Sequence, residues 1–229
     1  VKSAVAARGV SVIAPILDDS CEEIRETAIN LLCLFSHHEP QGGVEYLLKT
    51  RKLEALVGIL ENEDKSDVQM ATAGLVANQP KSEIRLTEKL IEIGGLKAII
   101  SILRSESIEA KENALSALFR FTDPTNIQFQ HSVVDLGAYP LLVSFLRDAS
   151  VTTKARAAAL LGDLSMRSSE LSVMPKIAGC WSILWTRGKI CPVHGVVCSV
   201  TTTFCLLEAN ALPELVTLLQ GNVHATAYE

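Results

Sequence analysis

The sequence predicts an all-α solenoid, and three observations carry that prediction. Apolar residues recur at an offset of 43 positions, they recur inside each unit at helical spacing, and turn-forming residues fall between the helical blocks. Leu17, Leu60, Leu103 and Leu146 keep the offset, as do Ile13, Leu56, Ile99 and Leu142, and then Val10, Leu53, Leu96 and Tyr139. Within a unit these positions lie three and four residues apart, which places them on one helix face that must be buried. A second block holds Ala28, Ala71, Ala114 and Ala157 in register with Leu32, Leu75, Leu118 and Leu161. It reads as a longer helix whose recurring alanine lets a neighbouring backbone come close.

A third, shorter helix completes the unit. It is visible as GVEYLLKT at 43–50, IRLTEKLIEI at 84–93 and FQHSVVDL at 129–136. Turns are marked by Gly9, Gly94-Gly95, Gly137, Asp18-Asp19-Ser20 and Asp123-Pro124. Three helices at a period in the forties match the armadillo class of repeats, so the expected fold is an armadillo-repeat right-handed superhelix with a long groove. The alternative, a globular bundle with accidental periodicity, has to explain why so many positions keep register. The expected units span 1–37, 38–80, 81–123, 124–168 and 169–229, a single array of four to five.

The fifth unit is displaced. ALPELVTLLQ at 211–220 repeats KLEALVGILE and GLKAIISILR, yet Leu219 follows Leu146 by 73 residues, 30 more than the period. The extra residues fall at about 172–203, and insertions in solenoids map to loops on one face, frequently the binding face. The sequence has no initiating Met and stops where the fifth long helix would begin, so a longer parent chain is expected. Leu212, Leu215 and Leu219 would then lack their covering helix, and the C-terminal end should fray.

Composition bounds the function. A 48% hydrophobic content with 21% charged residues argues for a folded chain. The net charge of −5 and pI near 5.6 supply no basic footprint for nucleic acid. No apolar run approaches the roughly 18 residues of a membrane span. Six irregularly spaced cysteines without a signal peptide favour thiols or metal ligands over a disulfide framework, and an intracellular protein of the cytoplasm, with the nucleus as a second compartment.

The runs KSEIRLTEKLIEIGGLKAIISILRSESIEAKENALSALFRFTDPTNIQ, LGAYPLLVSFL, KARAAALLGDLSMRS and CPVHGVVCSVTTTFCLLEANALPELV resemble the armadillo region of plant U-box proteins. The resemblance is to the large members, with an N-terminal U-box and a long C-terminal armadillo array. It covers about residues 70 to 220. It implies a module that recruits partners or substrates for ubiquitination, while the U-box, absent from this sequence, would engage the ubiquitin-conjugating enzyme. A structural adaptor without ligase linkage is the other reading. Armadillo proteins that grip basic peptides present a ladder of Asn near the end of the long helix, and here those positions are Leu34, Ala77, Arg120 and Asp163. The ladder is absent, Asn78 falls one residue late, and Arg120 and Asp163 become the candidate groove residues for another kind of peptide.

Cys180, Cys191, His194 and Cys198 form a Cys-x10-Cys-x2-His-x3-Cys series. Three thiolates and one imidazole match the ligand count of a closed structural zinc site, though only the Cys191–His194 spacing has the tightness of local chelation. Cys205 is a substitute ligand, and reduced cysteines in a loop are the competing reading. A metal here would pin a loop, since no Glu or second His adjoins to act as a base. Trp181 and Trp185 read as anchors for the same loop. No other cofactor is expected. His37-His38-Glu39 reads as a polar helix end, Cys21 and Cys33 lack an aligned His and Asn, and no Gly-rich phosphate loop or G-x-S-x-G occurs. Nothing in this chain reads as a catalytic site.

Overall fold

The structure, a computed structural model, describes residues 9–38, 47–48, 52–61, 66–165 and 211–220. Among the described residues every regular element is a helix. The chain forms two compact bodies, Val1–Arg120 and Phe121–Glu229.

In the first body, helical residues 9–13 run into a 3-10 turn, Ala14–Asp18. Pro15 sits at the start of that turn, where its missing N–H is unneeded. The chain then reverses at Asp19, whose carboxylate accepts from the Cys21 N–H at 2.8 Å. Helix α1, Glu22–His38, opens with Glu22 and Glu23 in its first turn, where the helix dipole favours negative charge. Helix α2, Lys52–Leu60, buries Leu53, Leu56, Val57 and Leu60, and Lys52 reaches Asp18 as an ion pair. Helix α3, Ser66–Asn78, follows, with Gln69 Nε2 donating to the Leu60 carbonyl at 2.9 Å to satisfy the end of α2.

The second full repeat has all its parts described. Helix α4, Ile84–Glu92, turns into α5, Gly95–Ile102, through Gly94 at φ 86°. Only glycine adopts that left-handed backbone without cost. Its successor Gly95 is fixed by space: a Cβ there would lie 3.1 Å from the Leu90 carbonyl oxygen and 3.1 Å from a Val57 methyl. Helix α6, Ile108–Leu118, is capped by Ser107, whose hydroxyl accepts from the Ala110 N–H at 3.2 Å.

The second body repeats the scheme. Helix α7, Ile127–Asp135, leads through Gly137, at φ 77°, into α8, Ala138–Phe145. Helix α9, Val151–Ser165, is capped by Ser150, which accepts from the Thr153 N–H at 3.2 Å. Helix α10, Leu212–Gln220, is tied to the end of α8 by an Arg147–Glu214 ion pair.

The register read from the sequence is the register of the core. Leu17, Leu60, Leu103 and Leu146 are all buried, as are Leu32, Leu75, Leu118 and Leu161. Each such leucine contributes about 2 kcal/mol by leaving water. Within the first body the long helices stack side by side, α3 between α1 and α6, while α2 packs on α5. The stack is close because α3 has Gly74 at the crossing: a Cβ there would sit 3.1 Å from Cys33 Sγ and 3.3 Å from Asn113 Nδ2.

The boundaries differ in places. The short helix expected at 129–136 starts at Ile127, because the Asn126 side chain accepts from the Phe129 N–H at 3.3 Å and caps it there. The first block of unit one is helix followed by a 3-10 turn at Pro15. The expected short helix at 43–50 is described only at Leu47 and Leu48, which are helical. The insertion at 172–203 and the bounds of the fifth unit lie outside the described residues, apart from α10.

Candidate partner-binding surface

The long helices carry the candidate surface, so their ends and solvent faces decide what it can do. Position 34 and its repeats at 77, 120 and 163 meet different environments. Leu34 is exposed and Ala77 half-buried. Arg120 is only 3% exposed. Its guanidinium turns inward, donating to the carbonyls of Gln79 at 2.6 Å and Pro80 at 2.9 Å and to the Thr87 hydroxyl at 3.2 Å. Burial pulls its pKa down to about 10 and Glu83 partly offsets this, so it stays a cation at neutral pH. Its charge is spent on the turn between α3 and α4 and is withheld from any groove. The turn is reinforced from outside by Lys81, whose ammonium lies 4.8 Å from the Phe119 ring centroid.

Asp163, one repeat later in the second body, is half-buried. Its Oδ2 accepts from the Thr122 hydroxyl at 3.1 Å. The fully buried Gln130 side chain donates to the Thr122 carbonyl at 3.0 Å and the Asp163 carbonyl at 3.1 Å. Thr87 and Gln130 occupy the same repeat position. Arg120 and Asp163 therefore share one task in their respective bodies: each ties the end of a long helix to the turn after the preceding one. Asn78, one position out of that register, makes the earlier tie by donating to the Ser36 hydroxyl at 2.9 Å.

These ties were not legible from the sequence as ties. Asn113 is the clearest omission: its Nδ2 donates to the Met70 carbonyl at 3.1 Å, across a separation of 43 residues, so it locks α6 to α3 in repeat register. The available signal was recurrence itself. A polar side chain on the packed face of a long helix finds its acceptor one period back.

With Arg120 turned inward, one strip of the first body's long helices is acidic and neutral-polar, beside the exposed Ile24, Leu31 and Leu34 of α1. Glu23, Thr27 and Asn30 are exposed on α1. Two repeats on, Glu109 is exposed and Ser116 half-buried on α6. Such a face offers carboxylates, hydroxyls and amides to a protein segment, and no cationic cradle for phosphate.

Cys180, Cys191, His194 and Cys198 lie outside the described residues, as do Trp181, Trp185 and Cys205. Among the described residues no group of three His, Cys, Asp or Glu side chains is placed to hold a metal. Cys21 is exposed, and Cys33 is half-buried with its thiol pushed above the usual range by burial, which makes it a packing residue. His37 and His38 end α1, with Glu39 outside the described residues. Among the described residues no helix is long and apolar enough to cross a membrane.

Known structures share this fold. A designed armadillo repeat protein in complex with the peptide (KR)4 is 21% identical, with a TM-score of 0.71 over 96% of this chain and 77% of that one. A second designed armadillo repeat protein is 21% identical at a TM-score of 0.70, covering 96% of this chain and 78% of the other. A third, from computationally designed armadillo repeat proteins for modular peptide recognition, is 20% identical at a TM-score of 0.69, covering 94% and 76%. No protein-family model and no curated protein matches the sequence. The chain has the armadillo-repeat fold.

Proposed function

We infer that this chain is a protein-interaction module that binds partner proteins along its stacked long helices. The observation that carries this reading is the strip of acidic and hydroxyl side chains along that stack, with the buried Arg120 engaged internally. The designed armadillo neighbours, one in complex with the peptide (KR)4 and one designed for modular peptide recognition, support it by analogy of fold. The test is substitution on the solvent face of α6. Glu109→Lys with Ser116→Arg weakens partner binding by about tenfold or more, with the circular-dichroism melt unchanged. Partner affinity equal to wild type sinks the groove assignment. Asp163→Asn is no clean probe in the second body, because that carboxylate already holds the Thr122 hydroxyl. Reversing Arg120 is uninformative, since it breaks the internal tie.

The finer reading is that the module recruits substrates for a U-box ubiquitin ligase, with the U-box and its ubiquitin-conjugating enzyme engaged through sequence outside these 229 residues. The wording of residues 81–128 and 191–216 supports it. The parent reading frame tests it directly: a U-box there, and partner ubiquitination that requires the armadillo region, are the expected results. A parent without a U-box leaves the scaffold or adaptor reading. The intracellular setting and the zinc site at Cys180, Cys191, His194 and Cys198 belong to the same proposal. Zinc bound there would be structural.

A further inference from the structure

The first unit exposes large apolar side chains at positions that are buried two repeats later. Val12, Ile24, Leu31 and Leu34 are between 40% and 68% exposed. Their counterparts are Ala98, Ala110, Ala117 and Arg120, and each of these is 3% exposed or less. Ala98, Ala110 and Ala117 lie on α5 and α6, the helices that pack on α2 and α3 of the preceding repeat, and Arg120 lies just past the end of α6. Arg120 shows which neighbour that face meets, because its guanidinium reaches back to Gln79, Pro80 and Thr87. Asn113, on the same side of α6, reaches back to Met70. In the middle repeat Gly74 stands at the position of Leu31 and lies against Cys33 of α1. Asp67, at the position of Ile24, is the one that stays exposed.

Val12, Ile24, Leu31 and Leu34 thus mark a stacking face continuous in register with the α1–α3–α6 interface. We propose that this face docks the long helix of a further armadillo-type repeat, laid beside α1 as α1 lies beside α3. The chemistry of the occupant follows from the side chains. The repeat two periods on presents Ala98, Ala110 and Ala117 at the corresponding positions and the middle repeat presents Gly74 and Ala77, whereas α1 presents isoleucine and leucine, so the incoming helix must supply small residues where α1 itself supplies Cys33 and Ser36 to α3. A terminal unit that met only water would have a polar outer face there. An apolar one of this length is a contact surface.

A helix-stapled peptide with the sequence of residues 151–165 is a suitable probe, because Ala159, Gly162 and Ser165 stand at the repeat positions of Asn30, Cys33 and Ser36. Fluorescence anisotropy with the 229-residue chain gives saturable binding that Ile24→Lys with Leu31→Lys weakens by about tenfold or more. Both substitutions are at exposed positions, so the thermal melt stays that of wild type. Leu34→Glu alone repeats the loss should the double variant fold poorly. Val216→Lys with Leu219→Lys, on α10, leaves binding unchanged. Absence of saturable binding, or binding indifferent to the α1 substitutions, overturns the proposal. Self-association in sedimentation that the same α1 substitutions abolish would make the occupant a second copy of this chain, and would equally overturn it.

Discussion

Arg120 illustrates how far residue type alone misplaces function. At the position where peptide-gripping armadillo proteins put an Asn, an exposed cation would select acidic partners, yet the guanidinium is enclosed by two carbonyls and a hydroxyl. Its substitution is thus a stability experiment. Arg120→Met strands three acceptors and costs about 3 kcal/mol in urea unfolding, while Arg120→Lys recovers part of that because one ammonium cannot span all three sites. Asp163 was read from sequence at the right repeat position, but only its contacts with Thr122 and Gln130 define what it does. The cysteines pose a separate question at this scale. If the Cys180, Cys191, His194 and Cys198 set binds zinc, purified protein carries about one equivalent, and Cys191→Ser removes it. Metal-free wild-type protein purified without chelator would leave these residues as thiols.

At the scale of the element, the sequence was most informative where a repeat forces one backbone solution. Gly94 and Gly137 stand one period apart, and both hold the left-handed turn from the short helix into the next. Gly94→Ala therefore costs about 1–2 kcal/mol. Gly58→Ala in α2 has the opposite sign: its Cβ meets nothing within 4 Å, and the gain is about 0.5–1 kcal/mol. A urea series on both variants checks the contrast. Ser107→Ala removes a cap and costs about 1 kcal/mol, as does Ser150→Ala in its repeat position. Helix existence and the buried leucine register were legible because 3.6-residue periodicity and the repeat reinforce each other. Helix starts at Ile127 and the turn at Pro15 were less so, since they depend on one cap or one ring.

At the scale of the whole molecule, the repeat predicts uneven protection from exchange. In α10 Val216 and Leu219 are exposed, whereas α5 and α6 are largely buried. Amide exchange is thus expected to be faster over 211–220 than over 96–118, and equal protection would contradict the frayed end read from the sequence. Partner identity was never legible, because the solvent face of a solenoid is the part its packing leaves free to vary. The Asn113–Met70 hydrogen bond has a further consequence for how such a chain can change length. One residue added inside α3 would rotate everything after it by about 100° about the helix axis, carrying the Met70 carbonyl or Gly74 away from α6. The same residue added between helices leaves every rotation intact and costs only a little loop entropy. In this molecule, length is therefore free to drift in the connections and is counted residue by residue within the helices.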